Sequence, residues 1–188
     1  MTNVSPSGAD APFSHKPERP IHPGISVRAM RVDDLDWVEA QQARAFGPGR
    51  FARAAFRVRE RIAPDLALSR IAEYHGEMVG SVLLTRISIG GVNGVLLGPL
   101  AVEPSTQNLG AGRTLVRAAS QAALGDTSCH FVLLVGDAPY YGPLGFVPTN
   151  PKAVVFPGPV DPARILALCD DEALALALKG PILPQALS

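Results

Sequence analysis

The stretch AVEPSTQNLGAGRTLVRAASQAAL, from Ala101 to Leu124, decides how this 188-residue chain is read. It runs from an apolar segment, through a polar turn holding two glycines, into a helix. The positions Leu115, Ala118, Ala119 and Ala122 give that helix one small-residue face, suited to close packing on a sheet. A strand, such a turn and a helix start together gather unpaired backbone N–H groups at one place. The helix dipole adds a positive potential there, so the site favours an anion such as phosphate. Gly110 and Gly112 either allow the backbone to approach that anion with no Cβ in the way or serve only as a structural turn that starts the helix. A dinucleotide fingerprint is excluded, because Leu115 stands where its third glycine belongs. A P-loop is excluded too, because Gly112-Arg113-Thr114 replaces Gly-Lys-Ser/Thr.

Upstream, Val95 to Val102 reads VLLGPLAV. Pro99 cannot donate to a ladder and Gly98 relaxes the backbone, so this strand should bulge or splay near its centre. A splayed strand leaves N–H and C=O groups for an extended, amide-bearing ligand. Downstream, Phe131 to Val135 reads as a buried strand, and Ala138 to Leu144 as a short helix or turn ended by Gly145.

Further out, Ile25 to Met30 alternates like a strand, and Asp33 or Asp34 caps a helix reaching Phe46. Gly47-Pro48-Gly49 breaks the chain before a second helix, Arg50 to Ile62, with the stripe Phe51, Ala55, Val58 and Ile62. Leu68 to Tyr74 and Met78 to Ile89 form a hairpin about His75-Gly76-Glu77, and a second turn spans Ile89 to Gly94. Ile165 to Cys169 reads as a strand, and Asp170 to Leu178 as a helix or a further strand, since Ala and Leu alone do not decide. An antiparallel meander with helices and one strand-helix-strand unit makes a mixed α/β (α+β) layer fold.

Seventeen basic residues balance seventeen acidic ones. This neutrality argues against a dedicated binder of nucleic acid or membrane surface. At 47% hydrophobic and 18% charged the chain is globular, and no apolar run approaches the ~20 residues of a membrane helix. Cys129 and Cys169 form no CxxC pair, which fits a reduced, cytoplasmic protein with buried thiols. His75 and His130 lie far apart without ligand-like partners, so no metal is expected. Cys129 and His130 are neighbours that would face opposite sides of a strand, which disfavours a Cys-His dyad, and no Gly-x-Ser-x-Gly elbow occurs. Residues 1–24, rich in Pro, Ser and Gly, read as a mobile tail, and 25–188 as one domain.

The pattern Val102-x-Pro104-x-x-Gln107-x-x-Gly110-x-Gly112-x-x-Leu115 resembles the acyl-CoA motif of the GNAT N-acetyltransferases. Ala138-Pro139-Tyr140-Tyr141-Gly142-Pro143-Leu144-Gly145-Phe146 is similar to that family's Tyr-x-x-x-Gly-Phe segment. Within the superfamily, LGPLAV, GDAPYYGPLGF and FPGPVDP resemble the YhbS-type bacterial acetyltransferases. The resemblance implies a mostly antiparallel sheet flanked by helices and splayed at Gly98-Pro99. It implies direct attack by an amine on the thioester of acetyl-CoA. Gln107, Asn108, Leu109, Gly110, Ala111, Gly112 and Arg113 would then bind the pyrophosphate, and Leu100, Ala101 and Val102 the pantetheine amides.

By the same resemblance Tyr141 is the proton donor to the leaving thiolate and Tyr140 a pocket wall, while Glu103 at the strand end is a candidate base. Two departures stand out: Ala111 replaces the family's Ile or Leu, and Asp137 lies near the place of a cofactor-contacting Asn. Arg50, Arg53, Arg57 and Arg61 would share one helical face, read as solvated or as attracting an acidic acceptor or the CoA phosphates. The acceptor is a small-molecule or peptide amine of open identity. Oligomeric state is also open, a homodimer being one option. The rival reading is an acyl-CoA-binding sensor or scaffold without catalysis.

Overall fold

The long apolar runs of the middle of the chain become the centre of one sheet. A computed structural model describes residues 22–185. Its strands are β1 (Ile25–Ala29), β2 (Arg70–Tyr74), β3 (Glu77–Ile89), β4 (Val92–Val102), β5 (Phe131–Val135), β6 (Val147–Pro148), β7 (Val154–Val155), β8 (Ile165–Cys169) and β9 (Gly180–Pro184). Its helices are α1 (Leu35–Phe46), α2 (Ala54–Arg59), α3 (Ala111–Leu124), α4 (Ala138–Tyr141) and α5 (Glu172–Ala177). The strand order is β1-β2-β3-β4-β5-β8-β6, antiparallel except where β4 and β5 run parallel on either side of the α3 crossover. Strand β9 takes the side of β3 that β2 leaves open along Ile87–Ile89, and β7 pairs with β9. The mixed, mostly antiparallel architecture expected from the sequence is the one observed.

Side-chain alternation sends the sheet's apolar residues to two buried faces. Val82, Leu84, Val95, Leu97, Val132 and Leu134 pack beneath α3. Ile87, Ile89, Leu96, Phe131 and Leu133 face the other way, against α2 and α5. Met30, Val38, Ile71 and Leu83 form a third cluster beneath α1. Burial on both faces explains why these strands read as continuous apolar runs.

Several boundaries differ from expectation. The helix start near Asp33 and Asp34 is a 3-10 turn, Val32–Asp34, and α1 begins only at Leu35. The Asp34 carboxylate does not cap α1. It accepts the Arg31 N–H (2.7 Å) and two bonds from the Arg28 guanidinium (2.7 and 2.9 Å). Hydrogen bonding from Arg28 holds the buried carboxyl below its usual range. The helix expected over Arg50 to Ile62 is instead a 3-10 turn, Pro48–Ala52, an extended Arg53 (φ −73°, ψ 143°) and the six-residue α2. That break lets Phe56 meet Phe46 and Phe51 edge-to-face, at 6.2 and 6.0 Å. It buries Ala54, Phe56 and Val58 and leaves Phe51 exposed, so the expected stripe does not form.

On α3 the buried positions are Ala111, Leu115, Val116, Ala119, Ser120 and Ala123. Val116 turns the expected face, leaving Ala118 and Ala122 half-buried. Of the tail expected over residues 1–24, residues 1–21 lie outside the described residues. His22 is described, and its N–H donates to the Leu109 carbonyl (3.0 Å).

The contact between β4 and β5 is short. Only Val95 with Val132 and Leu96 with Leu133 are paired. Beyond them β4 bulges, so that Gly98 and Pro99 together oppose Leu83 of β3. Before them the strands are pressed together: a Cβ on Gly94 would lie 2.6 Å from both the Phe131 carbonyl oxygen and its ring. Backbone that close cannot yield as a flexible side chain can. Gly94→Ala should therefore lower stability by about 1–3 kcal/mol, as overpacking does. Chemical denaturation measures this, and a midpoint unchanged from wild type would contradict the tight seam.

Candidate active site

Where β4 and β5 part, a cavity of about 530 Å³ opens, within the ~300–1,000 Å³ typical of ligand clefts. Its floor is Leu96 to Leu100 of β4, and one wall is Val135, Gly136, Asp137, Tyr140 and Tyr141. The opposite wall comes from Phe46, Arg53 and Phe56, with Val160, Asp161 and Arg164 closing a third side.

Strand alternation identifies which β4 amides face the gap. The Glu103 N–H donates to the Val79 carbonyl on β3 (2.7 Å), so Ala101, opposite Ser81, shares that phase. Leu100 and Val102 then turn their N–H and C=O groups toward β5. Of the expected trio Leu100, Ala101 and Val102, the two outer residues present backbone to the gap and Ala101 is committed to β3.

Helix α3 starts at the same end of the sheet. Gly110 is left-handed (φ 90°), a conformation open to glycine at little cost, and its carbonyl accepts from the Thr114 N–H and hydroxyl, both at 3.0 Å. The N–H groups of Ala111, Gly112 and Arg113 belong to the first turn, which has no intrahelical acceptors. Two residues of the expected cradle are spent elsewhere: the Gln107 N–H donates to the Pro104 carbonyl (3.4 Å) and the Leu109 N–H to the Thr106 carbonyl (3.3 Å). Gly112 has a second neighbour, because a Cβ there would lie 2.7 Å from the Tyr140 hydroxyl. Arg113 sits over the same ring at 5.9 Å.

Tyr141 packs edge-on against Tyr140 (4.8 Å) and Phe146 (5.8 Å), and so closely on Gly136 that a Cβ there would overlap its ring. Burial pushes its phenol up to about 12, helped by Tyr140 and Asp137. Burial also raises Tyr140. Both line the cavity. Glu103 does not: its carboxylate is paired with Arg44 at 2.8 Å, outside the cavity lining. Asp137 carries Arg164 at 3.2 Å, and Asp161 accepts the Ala163 N–H at 3.0 Å.

The arginine face expected over Arg50, Arg53, Arg57 and Arg61 is dispersed by the extended residue 53, and among the four only Arg53 lines the cavity. Phe46, Phe56 and Arg164 are wall residues that sequence reasoning did not assign. Their only signal was proximity to breaks, at Gly47-Pro48-Gly49 and in FPGPVDP. Among the described residues no cluster of three or more His, Cys, Asp or Glu could hold a metal, and no helix is long and apolar enough to cross a membrane.

Residues 32–146 match the family model described as the acetyltransferase (GNAT) family. The chain is 34% identical over 119 residues to YjhQ of Escherichia coli K12, an uncharacterized N-acetyltransferase, covering 61% of this chain and 65% of that protein. It thus spans just under two thirds of that relative's length. Among solved structures it is similar to E. coli YhbS in complex with CoA (TM-score 0.67, 18% identity, 91% of this chain and 94% of that one). A GNAT family acetyltransferase of Brucella melitensis in complex with acetyl-CoA is also similar (TM-score 0.61, 22% identity, 88% and 98% covered). At these identities the structural likeness is one of fold.

Proposed function

Because the chain belongs to the GNAT family of acetyltransferases, we propose that it moves an acetyl group from acetyl-CoA directly to an amine in the cavity between β4 and β5. The observation that carries this reading is one of position. The parted strand edge, the first turn of α3 and the Tyr141 phenol all meet at one end of the sheet.

Each part suits a portion of the cosubstrate. The N–H groups of Ala111, Gly112 and Arg113 offer donors and the positive end of the helix dipole to a pyrophosphate. Leu100 and Val102 offer an unpaired strand edge to the amides of an extended pantetheine arm. A β4 N–H beyond the bulge would donate to the thioester oxygen as it gains negative charge, in a place already oriented by pairing to β3.

The acceptor nitrogen bonds to the carbonyl carbon and the carbon–sulfur bond breaks. One amine proton ends on sulfur, so the products are an amide and a free thiol. Tyr141, held up to about 12 by burial, stays protonated at neutral pH. An ordinary thiol lies near ~8.5, so full proton transfer from this phenol to a thiolate runs uphill. Tyr141 therefore acts by donating a hydrogen bond to the departing sulfur. An acceptor arriving as ammonium must first lose a proton. Glu103 is tied to Arg44 and Asp137 to Arg164, which leaves Asp161 as the cavity carboxylate for that proton.

Two experiments test the reading. Tyr141→Phe should lower kcat by about 10²-fold while calorimetric affinity for CoA is kept, since its hydroxyl acts only as charge develops on sulfur. Acetyl-CoA binding with no turnover against a broad amine and peptide panel would favour the sensor reading instead. Gly112→Ala should weaken CoA binding by about tenfold, or ~1.4 kcal/mol. The loss should persist in Gly112→Ala/Tyr140→Phe, where the hydroxyl that meets the new methyl is gone. Full recovery in the double variant would mean that the glycine serves Tyr140 and not the anion.

A further inference from the structure

The cavity extends past the parted strands to a further wall, where one cation and one carboxylate make no ion pair among the described residues. Four neighbouring arginines, none of which lines the cavity, have partners of their own. Arg44 pairs with Glu103 at 2.8 Å and Arg57 with Glu60 at 3.8 Å. Arg50 donates to the Gly47 carbonyl (3.3 Å) and Arg59 to the Gln42 side chain (3.1 Å). Within the cavity, Arg164 is engaged by Asp137. Arg53 makes no ion pair among the described residues. Its guanidinium lies over the Phe46 ring, 4.8 Å from the centroid, and lines the cavity.

The backbone gives this placement a structural cause. Residue 53 is extended between a 3-10 turn and α2, which takes it out of the helical arginine row. The stacking on Phe46 restricts the guanidinium while leaving its in-plane N–H donors available, and a planar fork of donors fits a carboxylate.

Resting on the acetyltransferase reading, we propose that Arg53 anchors the acceptor's carboxylate and that the acceptor class is a small α-amino acid with an apolar side chain. The charges left uncompensated by partners in the wall are one cation, Arg53, and one carboxylate, Asp161, a pattern complementary to a zwitterion. The rest of that wall, Phe46, Phe56 and Val160, is apolar and suits a hydrocarbon side chain. A peptide N-terminus or a lysine side chain carries no carboxylate next to its amine and leaves Arg53 unmatched. Transfer to the zwitterion balances as before: the ammonium releases one proton to the Asp161 side or solvent, the nitrogen takes the acetyl group, and the thiol leaves protonated.

The test uses the full chain, acetyl-CoA, and three matched acceptor sets: leucine and phenylalanine, their α-amides, and the carboxylate-free amines isoamylamine and phenethylamine. The wild type should favour the acids over the amides and amines by at least tenfold in kcat/KM. Arg53→Gln should raise KM for the acids by tenfold or more, with kcat and KM for the amides little changed, and Arg53→Lys should recover part of that loss. CoA affinity, measured by calorimetry, should be the same in all three proteins, which confirms that the variants fold. Equal use of amides and acids by the wild type would overturn the proposal. So would an Arg53→Gln effect of the same size on both sets, or acetyl-CoA binding with none of the acids acetylated. A wild type that fails to bind acetyl-CoA would overturn the acetyltransferase reading on which the proposal rests.

Discussion

The site depends on how briefly β4 and β5 touch. Two paired positions, Val95 with Val132 and Leu96 with Leu133, hold the strands together. On one side of them Gly94 is pressed against Phe131, and on the other Gly98 and Pro99 bend β4 out of register. Because the two strands are parallel, both part at their carboxyl ends. The helix joining parallel strands must run back along the sheet, so α3 starts at that same end. The gap, the strand edge and the helix N-terminus are therefore brought together by topology, before any side chain is considered.

Parting two strands leaves backbone amides without their ladder, which is costly in a dry interior and tolerable beside a solvent-filled cavity. The fold limits the cost by leaving each strand a partner on its far side. Strand β4 remains paired to β3 as far as Val102, and the Glu103 N–H extends that pairing to Val79. Strand β5 remains paired to β8 along its whole length, with the Gly136 N–H reaching the Arg164 carbonyl (2.9 Å) beyond it. The amides facing the gap are thus fixed in direction by bonds made behind them. Donors fixed in this way can meet a developing charge without reorganising.

What the sequence made legible follows from where local chemistry decides. Pro99 and Gly98 announce a ladder defect in any context, and the β5 run, with both faces buried, could be nothing shorter or more exposed. The two-residue strands β6 and β7 carry no period to read and exist only because β8 and β9 present edges to them. The second helix failed for a different reason. A plausible stripe over Phe51, Ala55, Val58 and Ile62 lost to an aromatic cluster in which Phe56 packs between Phe46 and Phe51. That side-chain cluster goes with the break at residue 53 and the dispersed arginine row. Glu103 shows the same limit from the side of charge: its position at the strand end was legible, but its partner Arg44, 59 residues away, was not.

The two adjacent tyrosines gain distinct positions from two glycines. Gly136, just past β5, lacks the Cβ that would overlap the Tyr141 ring, so the ring can lie against the strand end with Phe146 beside it. Gly112, in the first turn of α3, leaves room for the Tyr140 hydroxyl on the other side of the gap. Neighbouring side chains on one short helical turn are thereby sent to different walls. Tyr141 is half-buried against the sheet, with its ionisation suppressed, while Tyr140 reaches toward the helix N-terminus. A glycine in such a motif has two claims on it, close approach by an anion and close approach by an aromatic ring. At Gly136 only the ring is present to make the claim. At Gly112 the missing methyl leaves room for the Tyr140 hydroxyl beside the first turn of α3, so one glycine joins the helix N-terminus to the aromatic wall.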